Sequence, residues 1–454
     1  MSPTELARQI IAIDSSVSHG TRDVAQFALQ VANSWGLEAE VIDENLSGVA
    51  QATILISPKG QNRKIEKVNC GVALTSRLDT PEPGDYGRWI KTGANPFNAS
   101  MSGDEIFGLG AADCKLDFIC KLIALKEAAQ NKTDRTKPLV VGTFGRESGA
   151  GAIRLLRKKQ MSPRAVLASA PTNLRIANRA PGFAKVEISI ALSDAEKKYL
   201  EQHNQIEGGH SQSKIFSRQR ATLGAYSIHD NPIIKMIDYL KNMPSGMALL
   251  SVDGGTSAEV APELVELELD LLDSIEGGVT TKLIRVSEAI KKMATELMSL
   301  RDDGFSPPHS TINLGTVRMF SEEIKLSGVC SLVPAGDRAV YEGWLDRLRN
   351  ECAGAGAQFK LLDFKPPMLG AVDGAFMKFL KDNAGQTGLS DELVAAKVCT
   401  EANVFHRLGI ESAVFGPGQP VELDSSALEC VSVSQLTLAI EFYRNVIENF
   451  ERQY

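Results

Sequence analysis

The sequence predicts an α/β protein: a largely parallel sheet flanked by helices, with an α+β domain inserted into it. Three observations carry that expectation. Short β-branched runs alternate with long amphipathic stretches over the first 180 residues. The rhythm changes near Gly182 and returns to α/β beyond about Lys360. Polar clusters fall where apolar runs stop, as they do at the C-terminal strand ends of parallel sheets.

The N-terminal strands are Ala52–Ser57 (ATILIS), Gly71–Ser76 (GVALTS), Pro138–Phe144 (PLVVGTF) and Ala165–Ala170 (AVLASA), each short and apolar enough to be buried on both faces. Helical stretches such as Asp113–Ala129 lie between them and supply the crossovers that parallel pairing needs. From Gly182 come the strand runs Phe183–Leu192 (FAKVEISIAL) and Glu259–Leu271 (EVAPELVELELDL), with helices at Asn231–Lys241 and Thr280–Leu300. A second, loosely similar pass follows at Ser310–Val333 and Arg338–Glu351. Ala413–Phe415 then leads into Gly416-Pro417-Gly418, and a helix over Ser432–Phe450 closes the chain. Residues 1–181 and 356–454 therefore form one domain built from both ends, and 182–355 form the insert.

Composition excludes several classes. A chain of 454 residues with 43% hydrophobic and 23% charged residues can bury a large core in at least two domains. Forty-nine basic against fifty-six acidic residues give a net charge of −7, with no dense Lys/Arg block, so nucleic acid is not expected as a partner. Pro3, Thr4 and Glu5 stand where a secretory signal would carry positive charge, and no apolar stretch approaches membrane-span length. The seven cysteines are odd in number, dispersed and free of C-x-x-C spacing, which suits a reducing compartment and predicts a cytoplasmic protein.

The chemistry-bearing segments come in a fixed order. Thr75-Ser76-Arg77-Leu78-Asp79-Thr80 ends a strand and is followed by Trp89, Asn95-Pro96-Phe97 and Ser102-Gly103-Asp104. Gly108-Leu109-Gly110-Ala111-Ala112-Asp113-Cys114-Lys115 opens a helix. Thr143-Phe144-Gly145-Arg146-Glu147-Ser148-Gly149 and Ser169-Ala170-Pro171-Thr172 end two more strands. Taken in order, these segments resemble the co-catalytic zinc family that includes acetylornithine deacetylase, succinyl-diaminopimelate desuccinylase, the aminoacylases, glutamate carboxypeptidase and the Xaa-His dipeptidases. The stretch from Trp89 to Lys115 is the most specific part of that resemblance.

The resemblance implies a two-zinc hydrolase whose insert acts as a lid and dimerisation domain. It also assigns roles, and many are vacant here. The position of the first histidine ligand is Arg77, while the aspartate that orients it is kept as Asp79. The metal-bridging aspartate is Asp113. The general-base position is Arg146 and the ligand beside it is Glu147. A further carboxylate ligand is replaced by Ala170, and, counting back four residues from Glu429, the last histidine ligand by Ser425. The six histidines agree: none lies between His19 and His203, and none follows His406. Zinc, expected in the family, is predicted to be absent here.

Arginine is a specific kind of replacement. A guanidinium stays protonated and serves neither as a metal ligand nor as a base. Arg77 and Arg146 therefore set two fixed positive charges beside Asp79, Asp113 and Glu147, which reads as charge compensation. Asp113 and Glu147 are either a relic held by these arginines or a carboxylate half-site suited to Mg or Ca. His210, in Gly208-Gly209-His210-Ser211, matches the insert histidine that reaches the partner subunit's site, and it is equally a retained loop residue. Gly416 and Gly418 match the loop beneath the substrate carboxylate, though turn chemistry alone accounts for them. Three functions stand at this point: a pseudoenzyme with a binding, regulatory or scaffold role; an amidohydrolase or dipeptidase with a rearranged or single-metal site; and a sensor holding a small anionic metabolite against Arg77, Arg146 and His210. A homodimer is expected in each, with a protein partner or anionic ligand in the first and third.

Overall fold

Runs of branched apolar residues bury best when both faces of their sheet are covered, and four of them lie at the centre of the larger sheet. Leu139–Thr143, Val68–Arg77, Met161–Ser169 and Glu411–Phe415 are neighbours in that order and all parallel. Alternate residues serve opposite faces. Leu74, Val140 and Leu167 join the core beneath helices Lys115–Gln130 and Val433–Gln453, while Ala73, Val141 and Val166 pack with helices Ala150–Arg157 and Glu401–His406. Antiparallel strands Val49–Ser57 and Glu38–Leu46 extend one side, and Ala177–Ala180 with Met368–Leu369 extend the other. The computed structural model describes residues 3–59, 68–130, 137–158, 160–203, 211–218, 228–243, 247–271, 278–420 and 427–454. Among them no helix is long and apolar enough to cross a membrane.

The chain divides into two compact units, Met1–Ala180 with Met368–Tyr454, and Pro181–Pro367. The second unit holds a seven-stranded antiparallel sheet in the order Gln212–Ser217, Leu264–Leu271, Met247–Gly254, Thr311–Met319, Glu323–Leu332, Gly182–Ala191, Gln358–Lys365. Its strands alternate buried and half-buried positions, and helices Pro232–Lys241, Val279–Met298 and Arg338–Gly354 share the buried side. This unit runs past the boundary read from the sequence at 355/356. Gln358–Lys365 pairs antiparallel with Gly182–Ala191, placing Phe359 opposite Ile188, and so belongs to the second sheet. The run Glu259–Leu271 also corrects: strand pairing starts at Leu264, because Pro262 lacks the N–H a ladder requires.

Candidate functional site

Arg77 is the last residue of its strand and stands in register with Thr143, the last of the next strand. On the other side Phe415 pairs with Ser169. The polar segments thus leave neighbouring parallel strands at the same edge. Two residues beyond Arg77, the Asp79 carboxylate accepts the backbone N–H groups of Gly145 (2.9 Å) and Arg146 (3.1 Å). Those amides can point at one carboxylate because the turn is left-handed, with φ of 106° at Gly145 and 37° at Arg146. A Cβ at Gly145 would lie 2.5 Å from the Ala150 nitrogen, so only glycine fits there.

Asp113 closes the glycine-containing loop before helix Lys115–Gln130. Glu429, buried, fixes that loop by accepting N–H bonds from Gly110 (3.0 Å), Ala112 (2.8 Å) and Asp113 itself (2.8 Å). The Arg77 guanidinium, only 2% exposed, is ion-paired with Asp113 Oδ1. The Cys114 thiol donates to the same oxygen at 2.8 Å, and Arg146 Nη2 lies 3.8 Å from Oδ2. Burial by itself would raise the Asp113 carboxyl. The Arg77 and Arg146 charges outweigh it, with help from the Cys114 and Arg77 hydrogen bonds, and bring the group down to about 2.

Other buried charges ring this centre. Thr143 Oγ1 donates to Glu401, whose carboxyl is raised by burial although Thr143, Thr75 and Arg77 pull it down. Burial pushes Glu429 up to about 7 against its three N–H partners, and lowers Lys115, whose Nζ donates to the Ile13 carbonyl at 2.6 Å, to about 8. On the opposite face of the same strand ends, Lys121 Nζ lies 2.8 Å from Asp117 and donates to the Thr75 carbonyl (2.8 Å) and Ser169 Oγ (2.7 Å). Tyr443 Oη donates to Asp117 from the closing helix.

Of the residues singled out from the sequence, Arg77, Asp79, Asp113 and Arg146 come together. Ala170 is buried beside Gly416, and a Cβ at Gly416 would lie 2.6 Å from the Ala170 carbonyl oxygen. The Gly416–Gly418 loop is pinned by Thr172 Oγ1, which accepts the Gly416 N–H at 3.1 Å, and by Gln435 Oε1, which accepts the Gly418 N–H at 2.6 Å. His210, Ser425 and the side chain of Glu147 lie outside the described residues; the backbone of Glu147 is in the turn Arg146–Ser148. Sequence reasoning missed Glu401 and the clamp made by Glu429. For Glu401 the available signal was a carboxylate opening a short helix behind a Thr400 cap. Among the described residues no group of three or more His, Cys, Asp or Glu side chains is placed to hold a metal ion.

The description of peptidase family M20/M25/M40 matches residues 73–449. Acetylornithine deacetylase of Pectobacterium carotovorum subsp. carotovorum (strain PC1) is 35% identical over 107 residues, which are 23% of this chain and 26% of that protein. The match thus spans about a quarter of the relative's length. Among solved structures, a di-peptidase of Saccharomyces cerevisiae aligns with a TM-score of 0.59 at 11% identity, covering 99% of this chain and 95% of that one. Human carnosine dipeptidase 1 gives 0.58 at 12% identity over 99% and 96%. A tripeptidase of Staphylococcus aureus subsp. aureus mu50 gives 0.57 at 15% identity over 99% and 98%. These structural likenesses show a shared fold, and with the match over residues 73–449 they lead to one conclusion: the chain belongs to the M20/M25/M40 peptidase family.

Proposed function

We propose that this protein is a pseudoenzyme of its family, using the hydrolase fold for a binding, regulatory or scaffold role. The observation that carries the reading is the buried guanidinium of Arg77 at the strand end, ion-paired with Asp113. The residues do not fit the zinc pair that the family implies. A guanidinium occupies the first ligand position and another the base position, Ala170 offers no donor, and Asp113 Oδ1 is engaged by Arg77 and Cys114. Catalytic zinc sites need N, S or O donors that leave one position open, and a base near the bound water. The anion-sensor reading is less favoured by the same geometry, because Asp113 already lies against both arginines.

Protein purified without chelator is expected to contain far less than one zinc per chain and to leave N-acyl amino acids and dipeptides uncleaved. Elemental analysis with a turnover assay checks this. Stoichiometric zinc together with chelator-sensitive hydrolysis would restore the amidohydrolase reading.

The homodimer expected from the sequence is also proposed, through the second unit. Its strand Gln212–Ser217 ends the sheet, is exposed along nearly its whole length, and carries one charge, Lys214, and a 62% exposed Ile215. Such an edge calls for a partner or a cover, and two-fold pairing is the commonest solution. Light scattering should return twice the 49.0 kDa chain mass at micromolar concentration; a single-chain mass throughout would refute the dimer. None of the seven cysteines is paired, which supports the cytoplasmic setting.

A further inference from the structure

We infer that Arg77 is a tethered cation. Its guanidinium stands in for the diffusible metal charge of the fold, with Glu401 as its second counter-ion beside Asp113. The inference rests on the non-catalytic reading and goes beyond it by naming what holds the site together. Three acidic residues from separate parts of the sequence, Asp79, Asp113 and Glu401, are each bonded to residues at this strand edge or in the turn that leaves it. Asp113 is ion-paired with Arg77 directly. Glu401 is 2% exposed and takes the hydroxyl of Thr143, the residue facing Arg77 in the parallel register. Asp79 follows Arg77 by two positions and is held by the amides of the Arg146 turn.

Buried carboxylates need a partner charge, since burying an isolated ion is far costlier than burying a matched set. A metal ion supplies that charge in exchange with solvent. Arg77 supplies it through a covalent bond, so the charge cannot be chelated away. A planar guanidinium suits the task because its five N–H donors can serve acceptors on more than one side. Glu401 then has a defined role: it is the second acidic partner that makes a buried, permanently charged side chain tolerable at this position.

The test is chemical rescue. Arg77→Ala is followed by thermal and denaturant melts with and without guanidinium chloride at about 10 mM, far below the molar range in which it denatures. Equal sodium chloride and urea serve as controls. The variant should show an unfolding constant raised on the order of a hundredfold or more. Added guanidinium should recover part of this saturably, sodium chloride and urea should not, and the wild type should respond to none of them. Adding Glu401→Gln to Arg77→Ala should also recover part of the loss. Wild-type-like melting of Arg77→Ala would overturn the proposal, as would a failure of both guanidinium and Glu401→Gln to help. If Arg77→Ala does not fold, the comparison moves to Arg77→Met alone against Arg77→Met/Asp113→Asn/Glu401→Gln. The triple variant should be the more stable, and the opposite order would overturn the proposal. Zinc content and turnover of the wild type report separately on the non-catalytic reading.

Discussion

Lys121→Met is expected to cost about 3 to 5 kcal/mol in denaturant melts, the range for removing one partner of a fully buried ion pair. Lys121 and Asp117 are 0% and 2% exposed in their side chains and 2.8 Å apart. The ammonium joins strand ends that would otherwise leave polar groups orphaned: it donates to the Thr75 carbonyl and Ser169 Oγ, while Asp117 takes the Tyr443 hydroxyl. Taking the lysine away strands Asp117 as an uncompensated charge between helix and sheet. The double variant Lys121→Met/Asp117→Leu removes that charge and should recover most of the loss, as apolar replacements of buried pairs often do. A single variant within about 0.5 kcal/mol of wild type, the range of an ordinary surface change, would show that the pair contributes little.

Glu429→Ala should be nearly as severe. It orphans three backbone N–H groups in a buried loop, each carrying a desolvation cost of about 1 to 3 kcal/mol when left unmade. The loss should therefore reach about 3 kcal/mol, with some relief if water enters. Hydrogen exchange at Gly110, Ala112 and Asp113 should accelerate in step with it. Glu429→Gln keeps one accepting oxygen and should fall between the two. Unchanged exchange at these three amides in Glu429→Ala would refute the clamp.

How far the sequence foretold this arrangement depends on the reach of each interaction. The parallel strands were legible because a run such as Pro138–Phe144 must be buried, and Arg77, Asp79, Arg146 and Ala170 were legible because they follow such runs. Ser310–Val333 was read as one stretch although it is the pair Thr311–Met319 and Glu323–Leu332, turning at Phe320. Gln358–Lys365 went to the wrong domain because the charges Lys360, Asp363 and Lys365 interrupt the apolar pattern that marks its neighbours. Glu429 touches Gly110 across 319 positions of chain, and no local pattern reports a bond of that span. Lys121 and Asp117 are a different case. Their spacing of four on a helix is visible in the sequence and ordinarily marks a solvated pair; what hid them was that helix Val433–Gln453 covers the same face.

The larger sheet takes its last parallel strand, Glu411–Phe415, and its covering helix, Val433–Gln453, from beyond the second unit. A ribosome making this chain therefore produces Met161–Ser169 long before its neighbour Glu411–Phe415 exists. At about 5 to 20 residues per second, the 169-side edge waits on the order of tens of seconds for residue 411 to emerge. Residues 181–367 are contiguous and can complete their own sheet in that interval, while the nascent first unit still displays the apolar face of helix Lys115–Gln130. The middle of the chain can thus close its sheet while the beginning still waits, and in that interval the uncovered helix face and the unpaired strand edge are the surfaces open to aggregation.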